Sequence, residues 1–167
     1  DGTELISDID GHVSLVNGSV TVSGVLEIVN VDVSTGNINY EGNLVINGNV
    51  TTGYDVYASG DIEIKGLVES ASVEAGGQLT VAKGMNGMGK GILKAGGNIV
   101  VKYINGANVE AGGYIHSECI INSCVNARDK IVVEGRKGFI TGGNVRAGKV
   151  IDAKTIGSDM GVDTMIE

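Results

Sequence analysis

Proline and tryptophan are absent from this chain, and phenylalanine occurs once, at Phe139. Without proline there are no polyproline spacers, and 28 glycines lacking a three-residue period exclude a collagen-like helix. With aromatics this scarce, the core must be built from aliphatic side chains. No apolar run approaches the ~18 residues that cross a bilayer, so membrane insertion is not expected. Basic residues are also few: 12 Lys and Arg stand against 20 Asp and Glu, for a net charge of −8. A chain of that charge repels phosphate backbones, so nucleic acid is not an expected partner. Cysteine stops at two, Cys119 and Cys124, too few to frame a disulfide-rich domain. The only histidines, His12 and His116, do not complete a tetrahedral metal site beside them. A buried, reduced thiol role is the simpler expectation, and no metal or cofactor is implied.

What is present is aliphatic and sharply turned. Hydrophobic residues make up 42% of 167 residues, enough to offset the ordering entropy of a single domain. Glycine is more than twice its usual share of ~7%. Aliphatic residues recur at Ile38, Leu44, Val50, Val56, Ile62 and Val68, successive steps of six. A unit reading aliphatic-x-Ala, two turn residues, x, aliphatic then repeats, as in Val56 to Ile62, Val73 to Leu79, Leu93 to Ile99 and Val109 to Ile115. Weaker copies run from Val125 to Ile131 and from Val145 to Ile151. Their alanines fall at Ala58, Ala75, Ala95, Ala111, Ala127 and Ala147, spaced 17, 20, 16, 16 and 20 residues apart. A stride of that length with short strands and glycine corners predicts a solenoid whose coils stack through parallel hydrogen bonds.

The preferred sense of parallel crossovers makes this an all-β, right-handed parallel β-helix. Roughly eight coils would form a rod about 40 Å long. The glycines are expected to supply positive φ at the corners, and each small Ala to leave room for the turn that follows. Residues 83–91 and 134–143 each add about four residues to the stride, and both are expected to protrude from one corner. Upstream, the alternation from His12 to Val22 around Asn17-Gly18 reads as a β-hairpin that covers the first coil's edge. The domain reading is therefore a hairpin cap over residues 1–30 and a parallel β-helix over residues 31–167. Beyond Ile156 the pattern fades. The chain opens on Asp1 with no secretory signal and no initiating Met, so a piece of a longer protein is expected.

One outward column reads Tyr57, Glu74, Lys94, Glu110, Asn126 and Arg146, and its opposite charges alternate at one coil spacing. Its plain interpretation is a surface ladder that sets register.

Motifs for chemistry fall short. Residues 84–91 nearly spell a phosphate loop, but Gly91 stands where a hydroxyl must hold Mg²⁺, and Ile92 onward continues the coil pattern. A hexapeptide-repeat acyltransferase also places aliphatics every six residues. Its glycine after each aliphatic is missing here, where Asn39, Val45, Thr51, Tyr57 and Glu63 stand. Calcium-binding Gly-Gly-x-Gly-x-Asp repeats are not matched either.

Several runs resemble the β-solenoid domain of the bacterial flagellar assembly protein A (FapA) family. They include Ser34 to Ile38, Val45 to Val50, Gly60 to Gly66, Gly89 to Ile99, Gly135 to Gly143 and Ala153 to Ser158, with Thr164 beyond. The resemblance implies a cytoplasmic bacterial protein that works in flagellar assembly through protein partners, and it carries no catalytic residues to this chain. At Ala127-Arg128-Asp129 the usual Ala-Gly-Gly corner is lost, so that coil is expected to depart from the family's shape.

The expected function is thus a non-enzymatic scaffold. Its docking candidates are Arg136 and Lys137, the one positive projection on an acidic rod; the plainer alternative is that this loop only closes a coil. A second reading is a self-assembling polymer module resembling bactofilins, a homo-oligomer through the solenoid ends. Acyl transfer ranks third.

Overall fold

The computed structural model describes residues 12–16, 19–158 and 161–167. Every regular element among them is a β-strand. The cause is local: short stretches alternate apolar and polar side chains, so each is extended and buries a single face. Val56 and Ala58 are buried while Asp55 and Tyr57 are exposed, and buried Ile62 and Ile64 flank exposed Glu63.

Successive stretches wind into eight coils, each laid on the last by parallel pairing. One eight-stranded sheet runs from Val25–Ile28 to Val150–Ala153, so the parallel ladder already begins at Val25. A second sheet starts at Ile38–Tyr40 and ends on the strands paired with Phe139–Ala147. A short third side lies between them, where Val31, Val50 and Val68 are joined by single parallel bridges. From Gly84 onward that side runs into the second sheet, as in the unbroken strands Tyr103–Ala111 and Cys119–Ala127.

This geometry explains the six-residue rhythm. Ile38, Leu44 and Val50 point inward from the second sheet, the first sheet and the short side, and Val56, Ile62 and Val68 repeat the circuit. Where the stride changes, the rows persist. Leu44, Ile62, Leu79, Ile99, Ile115, Ile131 and Ile151 lie in register, one above another. Ala58, Ala75, Ala95, Ala111, Ala127 and Ala147 form a second row. The core is therefore one continuous aliphatic column.

Strands His12–Val16 and Ser19–Ser23 pair antiparallel, with His12 opposite Ser23, in a two-stranded sheet of their own. The Asn17-Gly18 turn lies outside the described residues.

Four sequence expectations need correction. The insertions leave from different corners. In the first, only Met88, Gly89 and Lys90 project, at a register break within Gly84–Ala95, because Met85 and Gly87 are buried. In the second, residues 134–137 project between Lys130–Val133 and Phe139–Ala147. The Ala-Gly-Gly corners do not use positive φ: the left-handed glycines lie elsewhere, as at Gly53 (φ 88°). Gly76, Gly96 and Gly112 are required by proximity, because a Cβ there would overlap the carbonyl oxygens of Ser59, Gly76 and Gly96 in the preceding coil.

The Arg128-Asp129 corner also keeps the common shape. Arg128 N–H donates to the Ala111 carbonyl at 3.0 Å, and Lys149 N–H to the Asp129 carbonyl at 2.8 Å. In addition Asp129 takes Lys149 Nζ at 2.7 Å. Finally, the pattern does not end at Ile156: Thr164–Ile166 returns and pairs with Gly143, Asn144 and Val145.

The two kinds of corner differ in what they tolerate. Gly112→Ala is expected to lower stability by about 1–3 kcal/mol, because neither coil's backbone can yield. Gly53→Asn, at an open left-handed corner, is expected to cost less than ~1 kcal/mol; urea unfolding separates the two classes. The hydrogen bond from Lys149 holds the Asp129 carboxyl below its ordinary range. Its stabilising contribution is thus present at neutral pH and lost as pH falls through the lowered folded value. Lys149→Ala should return Asp129 to ordinary carboxylate titration, read by NMR of the side-chain carboxyl.

Candidate interaction surface

The outside of the rod is set by the same alternation that fills its inside. Every residue between two inward ones faces solvent, and parallel register files these outward residues into columns. Tyr57 lies beside Glu74, Glu74 beside Lys94, Lys94 beside Glu110, Glu110 beside Asn126, and Asn126 beside Arg146. The expected column therefore exists. Its charges are not locked to one another, however. Among the described residues, the ion pairs within 4.0 Å are His116–Glu134, Arg146–Glu167 and Lys149–Asp129. A shallow groove of about 310 Å³ runs along this face past Lys94, Asn108, Glu110, Cys124 and Arg146.

Arg136 and Lys137 are exposed on the second insertion. The loop is held from both neighbouring coils: Lys154 Nζ of the next coil donates to the Gly135 carbonyl at 2.6 Å, and Gly138 N–H donates to the Glu118 carbonyl of the preceding coil at 3.0 Å. Gly138 adopts φ 61° and lies against the Lys154 side chain. Lys137 Nζ stands 6.0 Å from the centre of the Phe139 ring. The corner thus presents two cations on an anchored backbone.

It is not the one positive projection on an acidic rod. Residues 24–75, which form the first three coils, carry eight carboxylates and a single cation, Lys65. Residues 76–167 carry eleven cations and eight carboxylates. Lys83, Lys90, Lys94, Lys102 and Lys130 are exposed as well. The net charge of −8 conceals a rod that is strongly acidic in its N-terminal coils and carries a small positive excess beyond them.

The remaining chemical candidates separate. Cys119 is 9% exposed, lying between Tyr103 of the coil before and Phe139 of the coil after. Burial pushes its thiol pKa up, which keeps it protonated. Cys124 is free and exposed. His116 Nε2 lies 3.2 Å from a Glu134 carboxylate oxygen, and the His12 side chain lies outside the described part. The near-phosphate loop lies within the bulged strand Gly84–Ala95 and leads on into strand rather than into the helix N-terminus that such a loop needs.

An Asx ladder at the corners has no counterpart among the sequence expectations. Asn43 Oδ1 accepts from Asp61 N–H at 2.8 Å, Asp61 Oδ1 from Gln78 N–H at 2.7 Å, and Asn98 Oδ1 from Tyr114 N–H at 3.0 Å. Asn30 and Asn49 do the same at a second corner, for Asn49 and Leu67. Each side chain bridges to the next coil over a glycine there: Gly60, Gly77, Gly113, Gly48 and Gly66. Its sequence signal is Gly-Asx-aliphatic, as in Gly42-Asn43-Leu44 and Gly97-Asn98-Ile99.

The eight-coil parallel stack can be set beside known families. The family model of the Flagellar Assembly Protein A (FapA) beta solenoid domain matches residues 11–167. No curated protein and no solved structure matches the chain. Across almost its whole length, then, the chain belongs to the FapA β-solenoid family, whose setting is flagellar assembly.

Proposed function

We propose that the chain is a non-catalytic scaffold that holds protein partners during flagellar assembly, in the bacterial cytoplasm. The observation that carries this reading is the persistence of register. The rows of Ile and Ala continue on both sides of each insertion, so extra residues are added outside a backbone that stays the same. A stack bonded at every step is stiff, and it keeps surface corners at set separations along one axis. Arg136 and Lys137 supply the docking contact in this reading, because their loop is tied down by Lys154 and loses little entropy when a partner binds.

A second reading, end-to-end polymerisation, draws on the exposed Val150, Ile156, Met165 and Ile166 of the last coil. It predicts species that keep growing with concentration in sedimentation. Acyl transfer would require binding of an acyl-coenzyme A, which calorimetry detects directly.

The double variant Arg136→Ala, Lys137→Ala should keep the native unfolding transition, lower partner pull-down several-fold and impair motility. Unchanged pull-down together with unchanged motility would remove the docking role.

A further inference from the structure

The column on the second sheet has a property beyond alternation. Numbering the coils from the N-terminus, Tyr57, Glu74 and Lys94 occupy coils two to four, and Glu110, Asn126 and Arg146 occupy coils five to seven. Turn a second copy end for end about an axis along the strands, and coil four faces coil five, coil three faces six, and coil two faces seven. Lys94 then meets the partner's Glu110, Tyr57 meets the partner's Arg146, and Glu74 meets the partner's Asn126. Each contact occurs twice by symmetry. Charge meets opposite charge, and a guanidinium meets an aromatic face. Sliding the copies so that coil four faces itself sets Lys94 on Lys94 and Glu74 on Glu110, which charge repulsion disfavours.

We propose that this face is a homodimer interface, in which two rods lie antiparallel with the Tyr57-to-Arg146 columns against each other. Three independent observations converge on it. The Glu74, Lys94 and Glu110 charges have no ion-pair partner within 4.0 Å among the described residues, so they are available to a second copy. The rod is polarised, with eight carboxylates and one cation in residues 24–75 against eleven cations and eight carboxylates in residues 76–167. Only the antiparallel side-by-side arrangement places both acidic parts against both parts of positive excess at once. Third, the face is one continuous hydrogen-bonded sheet, and the projection at Met88, Gly89 and Lys90 leaves from the corner beside it.

The face is large enough for a specific contact. Eight coils at ~4.8 Å and about four residues at ~3.3 Å give roughly 500 Å² per copy. The total, about 1,000 Å², is at the lower edge of specific interfaces, which suits a reversible dimer whose charged contacts weaken with salt. Arg136 and Lys137 lie at the corner away from this face, so the pairing is independent of the docking role and leaves two such corners free.

Cysteine placement gives a direct test. In the antiparallel register Ser72 of coil three faces the partner's Cys124 of coil six. Within one chain the two are separated by three coil steps, through Ile92 and Asn108. That is about 14 Å, beyond disulfide reach. Mild oxidation of S72C is expected to give a covalent dimer whose cross-link maps between the introduced thiol and Cys124. The native chain and S72C/C124S should lack it. As a second measurement, sedimentation equilibrium should find the K94E dissociation constant raised about 10-fold or more, and K94E/E110K back within about 3-fold of native. The proposal is overturned if S72C yields no such cross-link or one only between like positions. It is equally overturned if the native chain stays monomeric at every concentration, grows past a dimer, or is not rescued by the charge exchange.

Discussion

Parallel hydrogen bonding between coils about 4.8 Å apart is the constraint from which the rest of this structure follows. At that spacing a residue's nearest neighbours are its counterparts one coil above and below, so each position is chosen against copies of itself. An inward aliphatic stacks on aliphatics, and the row from Leu44 to Ile151 results. A corner that runs close to the preceding carbonyl must be glycine, as at Gly76, Gly96 and Gly112. A side-chain amide or carboxylate at the first sheet's edge finds the next coil's N–H within reach, and the Asn43, Asp61 and Asn98 bonds follow. These are one requirement expressed at three kinds of position.

The outward residues escape that requirement, and this is where individuality resides. Side chains such as Glu74 and Lys94 lie outside the core, so core packing does not fix their order. The same freedom lets charge be distributed unevenly, with strongly acidic early coils and a small positive excess in the later ones. Insertions obey the same division. Met88 to Lys90 and residues 134–137 project because inward rows on either side of them already close the coil. Cys119 shows the boundary between the regimes: it faces outward yet is covered, since Tyr103 and Phe139 are its column neighbours.

Much of the fold is legible in the residues themselves. Steps of six aliphatics specify the three-sided coil, and the alanine spacings match the register residue for residue. The column from Tyr57 to Arg146 keeps the order in which its residues recur along the chain. Other features mislead for identifiable reasons. Gly-Gly suggests positive φ, whereas closeness to a neighbouring carbonyl demands glycine just as firmly and leaves no local mark. Arg128-Asp129 suggests a broken corner when only side chains are compared, while the backbone bonds that define the corner continue. The strand Thr164–Ile166 escapes notice because it is short and lacks the Ala-containing unit.

The order of apolar and polar residues was enough by itself to determine the solenoid and its approximate number of coils, since both depend on a repeat that survives as text, while the family resemblance lay in particular runs such as Gly89 to Ile99. Tertiary structure alone decided which corner each insertion leaves from, which glycines are forced by contact, and which surface charges remain unpaired. Those outcomes depend on distances between residues some sixteen to twenty positions apart, and such distances come into being only when one coil settles on another.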